Sequence, residues 1–359
     1  MVDELRPSGE GPKIAVVIPS YRVRAHVLEV LAAIGPEVSQ IVVVDDACPE
    51  ASGAFVLSGC HDDRVTVLVH EKNQGVGGAM VTGYRYAAEC GADIIVKLDG
   101  DGQMDPALVP HFVAPLVSGA ADYVKGNRFY DLETLVAMPR VRLIGNAVLS
   151  FMSKASTGYW KMFDPTNGYT AINTTVLSRL PLHRLHRRYF FESDILFRLR
   201  TVQALVVDLP MKPVYGSEQS GLHIGKIIFP FLRGNLQNCV KRIFYEYFLR
   251  GFSIASLELL TGASFILFGT VFGAQHWMRS ISTGVPATTG TVMLAALPII
   301  LGVQFLLSFL AFDFATVPNR AVSSLLARKT IQTEKLPAIR SVTRCGMHAT
   351  QREDLRISV

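Results

Sequence analysis

Residues 94–103 read Ile-Ile-Val-Lys-Leu-Asp-Gly-Asp-Gly-Gln, and the reading of this stretch decides the fold. Its first half is an apolar run of the kind found in strands covered on both faces. Its second half ends that strand on two carboxylates and a carboxamide. Asp99, Asp101 and Gln103 alternate along the chain, so an extended backbone predicts all three on one side. Hard oxygen ligands of this type suit Mg2+ or Mn2+, ions that share their shell with substrate phosphates.

Similar strands stand on the N-terminal side. Lys13 to Pro19 is a β-rich run followed by Ser20-Tyr21-Arg22 and a helical pattern over 23–34. Gln40 to Val44 ends in Asp45-Asp46, and Val65 to Val69 leads through His70-Glu71-Lys72-Asn73-Gln74-Gly75 into a helix over 77–90. Apolar strands alternating with helices predict an α/β fold, with a mostly parallel sheet and helices on both faces. Ligands of such sheets bind at the carboxyl ends of strands, so Asp45, Asp46, Asp99 and Asp101 are expected in one crevice. Further on, the pattern predicts a strand at 121–126, a helix over 138–158, a loop at 164–169, a helix over 189–200 and a short strand at 205–210.

The 359 residues suit a globular unit plus an appendage. Hydrophobic residues make up 49% of the chain, and their excess lies after residue 252. Residues 254–277 and 291–312 each approach or exceed the ~20 apolar residues needed to cross hydrocarbon. Basic residues crowd both outer flanks (Lys241, Arg242 and Arg250; Arg320, Arg328 and Lys329), and the connection carries only Arg279. The positive-inside rule then predicts a cell-membrane protein with two spans, its catalytic domain and both termini in the cytoplasm. Before the spans, Leu232, Leu236, Val240, Ile243, Phe244 and Tyr247 recur at helical spacing among basic residues, which predicts an amphipathic helix in contact with membrane lipids.

The expected organisation is a disordered N-terminus (1–12), a catalytic domain (13–222), juxtamembrane helices (223–252), a transmembrane pair (253–316) and a basic, disordered cytoplasmic tail (317–359). Five cysteines without CxxC spacing read as reduced thiols. A net charge of +5 gives no reason to invoke nucleic acid. No HExxH, Gly-x-Ser-x-Gly or dinucleotide-binding Gly-x-Gly-x-x-Gly stands in its required context, which leaves hydrolase and dehydrogenase readings without support.

Val17-Ile18-Pro19-Ser20-Tyr21, Val43-Val44-Asp45-Asp46, Asn73-Gln74-Gly75 and Leu98-Asp99-Gly100-Asp101-Gly102-Gln103 together resemble glycosyltransferase family 2, the inverting GT-A enzymes with a Rossmann-like sheet. The likeness is to the dolichyl-phosphate mannose synthase and polyprenyl-phosphate hexosyltransferase branch, and extends over about residues 13–316. The resemblance implies transfer of a hexose from a UDP- or GDP-sugar to undecaprenyl or dolichyl phosphate at the cytoplasmic leaflet. Another membrane lipid or lipid-linked saccharide as acceptor, or a non-catalytic nucleotide-sugar-binding scaffold, is the alternative.

By the same resemblance Pro19 and Tyr21 cradle the nucleotide, and Asp45 or Asp46 bonds its base or ribose. Asp99 orients ribose or sugar at the metal site, and Asp101 with Gln103 ligates Mg2+ or Mn2+. Arg128 and either Arg140 or Arg142, with Arg142 aligning better, supply cations for phosphate. Asp164 and Glu192 contact the sugar or the metal shell or serve a structural role, and with another membrane acceptor one of them would be the base. Ser220 lies in a loop that closes over the acceptor, and Lys226 contacts the phosphate. The Gln-x-x-Arg-Trp signature of processive synthases is absent. Relatives with paired anchors assemble through them, so a homo-oligomer is a further expectation.

Overall fold

The computed structural model describes residues 11–130, 140–212, 224–326 and 339–345. The chain divides into two units, residues 1–238 with 318–359, and residues 239–317.

The first unit is built on one eight-stranded sheet of order β7-β5-β6-β4-β1-β2-β3-β8. The strands are β1 (Ile14–Ser20), β2 (Gln40–Asp45), β3 (Val65–His70), β4 (Ile94–Lys97), β5 (Tyr123–Asn127), β6 (Thr170–Asn173), β7 (Val206–Pro210) and β8 (Ile339–Arg344). β4, β1, β2 and β3 run parallel, as the apolar runs predicted. β6 is inserted antiparallel between β4 and β5, and β7 returns parallel to β5. The sheet is therefore mixed.

Alternate strand residues explain the two layers. Val16, Ile18, Val43, Val67 and Val96 face one way, against α1 (Val27–Ala32), α2 (Ser52–Gly59) and α4 (Val109–Val117). Val17 and Val44 face the other way, under α3 (Val76–Glu89). Gly83 of α3 lets the helix come close, because a Cβ there would lie 2.3 Å from Val17 Cγ1. The remaining helices of this unit are α5 (Arg140–Thr157), the single turn α6 (Thr174–Leu177), α7 (Phe191–Thr201) and the part of α8 (Ile224–Phe244) up to Asn238.

The described parts of the tail, residues 317–326 and 339–345, differ from the expected disorder. Val322 N and Ser323 N each donate to the Asp122 carboxylate at 2.8 Å, and β8 pairs antiparallel with β3. The physical reason is the edge of β3: an open strand edge exposes unpaired backbone groups, and β8 covers it. Composition alone could not reveal that pairing.

The second unit contains α9 (Ile254–Thr283) and α10 (Thr289–Ala315), both long and apolar enough to cross a membrane by length and composition. At 1.5 Å per residue their 30 and 27 residues exceed the ~30 Å hydrocarbon thickness. They lie antiparallel, with Gly262 against Gly302 and Leu306, and Gly269 against Ala295 and Ile299. Small residues permit this approach, as in membrane helix pairs. Glu258 accepts a bond of 2.6 Å from Ser308 Oγ on the facing helix. Just before α9, Arg242 forks onto Asp313 of α10 at 2.6 and 3.0 Å, and Tyr247 Oη donates to the same carboxylate at 2.7 Å.

Removing one partner of a buried ion pair strands the other charge. Arg242→Met should lower stability by about 3–5 kcal/mol, read as a lower thermal midpoint in detergent. Arg242→Met combined with Asp313→Leu should recover part of the loss, because Glu246, 3.2 Å from Arg242, still loses that contact.

Candidate active site

The carboxyl ends of β1, β2, β4 and β5 open on one side of the sheet, as parallel register requires. β4 stops at Lys97. Beyond it residues 100–102 turn, with Gly102 at φ +76°, a backbone region that favours glycine. The extended alternation expected of Asp99, Asp101 and Gln103 therefore does not persist. Asp101 instead accepts the Gln103 N–H at 3.0 Å, a local Asx-type bond. Asp99 turns back onto Lys97, its Oδ1 lying 3.1 Å from Nζ.

Lys97 is a centre that the motifs did not disclose. Its side chain is 2% exposed, and Nζ also bonds Glu192 Oε1 of α7 at 3.2 Å. Burial alone would lower its pKa. Asp99 and Glu192 more than offset that and hold it above the usual lysine range. Gly168 completes the enclosure, since a Cβ there would lie 2.6 Å from both Asp99 Oδ2 and Lys97 Nζ. The signal in the sequence is a lone lysine in an apolar strand. Lys125 gives the same signal in β5. It is wholly buried, donates to the Asn167 carbonyl, and has its pKa lowered to about 8, mainly by burial.

Arg128 follows β5 as expected, but its partner is Asp164. Arg128 Nε and Nη2 reach the carboxylate at 2.8 and 3.2 Å, and the Arg128 backbone N–H adds a third bond at 3.3 Å. Asp164 is fully buried. Neither candidate base therefore presents an unengaged carboxylate: Asp164 is held by Arg128 and Glu192 by Lys97. Nearby, burial pushes the Asp208 carboxyl up to about 6, while it accepts the Phe163 N–H at 2.6 Å.

Asp45 and Asp46 correct the expectation of an open acidic crevice. Both are buried. Asp45 accepts the N–H groups of Cys48 and Gly53 at 2.7 and 2.6 Å, fastening the start of α2 to the end of β2. Asp46 accepts the N–H groups of Gln74 and Gly75 at 2.7 Å and lies 2.7 Å from His70 Nδ1. That carboxylate fixes the loop that starts α3. Gly75 and Gly77 then pass against the 186–187 backbone, where side chains would collide with the Arg187 and His186 carbonyls. The Asn73-Gln74-Gly75 motif is thus a packing device that sets the approach of the segment before α7.

Tyr21 stands half-exposed at the end of β1, after Pro19, where a ligand can reach it. Ser20 beside it is buried, and its Oγ has no hydrogen-bond partner among the described residues. Arg140, Arg142 and Lys226 fall within α5 and α8, but their side chains, like the whole of Ser220, lie outside the described residues. Among the described residues no three His, Cys, Asp or Glu side chains form a metal site by themselves. The chemistry of the strand end still fits a hard divalent cation: a surface carboxylate, Asp101, beside an exposed carboxamide, Gln103.

The family model for glycosyl transferase family 2 matches residues 15–180, from β1 through α6. Residues 15–180 are a glycosyl transferase family 2 domain. The fold is accordingly GT-A, and the chain resembles the dolichyl- and polyprenyl-phosphate branch. A UDP-N-acetylglucosamine–dolichyl-phosphate N-acetylglucosaminyltransferase of Methanococcus voltae is 32% identical over 42% of this chain and 60% of its own length. An undecaprenyl-phosphate mannosyltransferase of Micrococcus luteus is 27% identical over 62% of this chain and 94% of its own. A polyprenol monophosphomannose synthase of Mycolicibacterium smegmatis is 27% identical over 60% of this chain and 83% of its own. The match thus spans under two thirds of the first relative's length and most of the other two.

If Asp45 and Asp46 act as fasteners, their loss is felt without ligand. Asp46→Ala should cost about 1–3 kcal/mol for each buried N–H left unpaired, seen as a lower thermal midpoint of the ligand-free protein. An unchanged midpoint would return Asp46 to a purely ligand-binding role.

Proposed function

We propose that this chain moves a hexose from a UDP- or GDP-sugar to a polyprenyl phosphate at the cytoplasmic face of a membrane, with inversion at the anomeric carbon. The observation that carries this reading is the state of the two candidate bases. A hydroxyl acceptor needs a group to take its proton, whereas a phosphate acceptor is already anionic at neutral pH. Asp164 is buried under the Arg128 fork, and Glu192 is held by Lys97. Such a site is suited to an acceptor that brings its own charge. The names of the relatives and the two apolar helices support the same acceptor class.

In this reading Tyr21 and Pro19 flank the nucleotide, with Tyr21 exposed to it at the end of β1. Asp99, held in place by Lys97, orients the sugar from the floor of the site. Arg128, locked by Asp164, presents the rest of its guanidinium to phosphate, a role suited to its planar set of donors. Asp101 with Gln103 would hold Mg2+ or Mn2+, which when bound supplies positive charge to the departing nucleoside diphosphate. The protein contributes position and preset charge, which together account for most of the barrier reduction in such reactions.

Detergent-solubilised full-length protein, labelled nucleotide-sugars and a polyprenyl phosphate provide the test, with an acid-labile lipid-phosphate sugar as product. Asp101→Asn should lower transfer by about 10²-fold or more with an unchanged circular dichroism spectrum. Glu192→Gln keeps an oxygen for Lys97 and should fall far short of the ~10²–10⁴-fold loss of a missing general base. Transfer to a lipid hydroxyl but not to a polyprenyl phosphate would overturn the assignment.

The donor can be found by thermal shift. A sugar nucleotide that binds only the native state raises apparent stability by mass action. With Mn2+ present, the true donor should shift the midpoint more than its epimers, and the shift should shrink on addition of EDTA.

A further inference from the structure

The Arg128–Asp164 pair has a third member on the neighbouring strand. The parallel register of β5 and β7 sets Asp208 beside Lys125 and Pro210 beside Asn127. Asp208 Oδ2 accepts the Phe163 N–H at 2.6 Å and a longer contact of 3.5 Å from the Asn127 side-chain amide. Asn127 immediately precedes Arg128 in the chain, and Phe163 immediately precedes Asp164. One carboxylate oxygen thus holds both approaches to the ion pair.

The other oxygen does not fit a role in stability. Oδ1 is buried and has no hydrogen-bond partner among the described residues, a state that costs free energy for any polar atom and more for a charged one. The charged groups facing Asp208 are Lys125 of β5, Lys154 of α5 and the Asp164 carboxylate. Burial outweighs the Phe163 N–H and both lysines, and pushes the Asp208 carboxyl up to about 6. Its folded pKa stands above that of the unfolded chain. Asp208 therefore favours the fold at low pH, and this contribution is lost as pH rises through about 6. An asparagine would accept the same N–H without that cost. A charged group kept at a cost to folding points to a demand of function.

We propose that Asp208 is a positioning residue: its ionised carboxylate fixes the Phe163 N–H, and through it the Asp164 carboxylate that aims Arg128 at substrate phosphate. This rests on the glycosyl-transfer reading of the site and adds to it a residue beyond the matched stretch 15–180. The charge matters because an ionised acceptor makes a hydrogen bond about twice as strong as a neutral one. As pH falls through about 6, Asp208 takes up a proton and its bond to the Phe163 N–H weakens. Asp164 then loses its fixed position, and Arg128 loses its aim. A displacement of about 1 Å at such a point costs up to ~10²-fold in rate.

Asp208→Asn keeps the shape and an oxygen for the Phe163 N–H and removes the charge. In detergent-solubilised full-length protein, its transfer of labelled hexose to a polyprenyl phosphate should be about 10-fold slower than wild type at about pH 7.5, and the two rates should converge at about pH 5. The acceptor phosphate also titrates near about 6, equally for both proteins, so the ratio of rates is the readout. The variant's thermal midpoint at neutral pH should be unchanged or higher. A ratio independent of pH, or a midpoint that falls along with the rate, marks a structural part only and overturns the proposal. Amide hydrogen exchange of the peptide containing Phe163 needs no substrate. It should be faster in the variant at neutral pH and equal in the two proteins at about pH 5. Equal exchange at neutral pH also overturns the proposal. The exchange difference without any wild-type transfer to polyprenyl phosphate would refute the acceptor reading alone.

Discussion

A lysine ammonium buried inside a sheet must be paired or it will not stay charged, and Lys97 is such a group. The penalty for desolvating one ion amounts to several kcal/mol. Two carboxylates answer it, Asp99 two residues along the same strand and Glu192 on α7. The consequence is geometric. Asp99 cannot swing freely from the strand end, and α7 cannot drift from β4 without leaving a charge unmatched. Gly168 seals the same point from β6's side, because no side chain fits between those groups. The floor of the site is thus rigid for electrostatic reasons before any ligand arrives.

The same economy of charge extends to the rim. Asp45 and Asp46 spend their oxygens on backbone N–H groups, and Asp164 spends its own on Arg128. Acids matched in this way, Asp45, Asp46 and Asp164, serve to hold the site's backbone and its Arg128 in register. The proposed reaction, between a nucleoside diphosphate sugar and a lipid phosphate, would make that demand. Both partners arrive negatively charged, and the task is to bring them together with their charges neutralised.

In the second unit the residues follow a different pattern. α9 and α10 show apolar side chains almost all round and meet through glycines. Arg242 pairs with Asp313 and with Glu246, and the Asp313 contact is buried and backed by Tyr247 Oη. Such a pair contributes specificity of register more than net stability. It ties the helical segment that precedes α9 to the end of α10, on the side where the chain re-enters the first unit's sequence at residue 318.

Period and strand-end chemistry made much of this legible in the sequence. Apolar runs of strand length located β1 to β5, and the residues following them supplied the candidate site, because strand termination is a local property. The two long apolar helices were readable for the same reason. Partnership across the chain was not. No local pattern could tell that Asp99 would choose Lys97, that Asp164 would be locked by Arg128, or that β8 would cover the edge of β3. Those choices depend on which groups the folded chain brings within about 3 Å, the distance at which a hydrogen bond forms. They depend also on burial, which makes an unmatched charge intolerable only after the tertiary structure has excluded water.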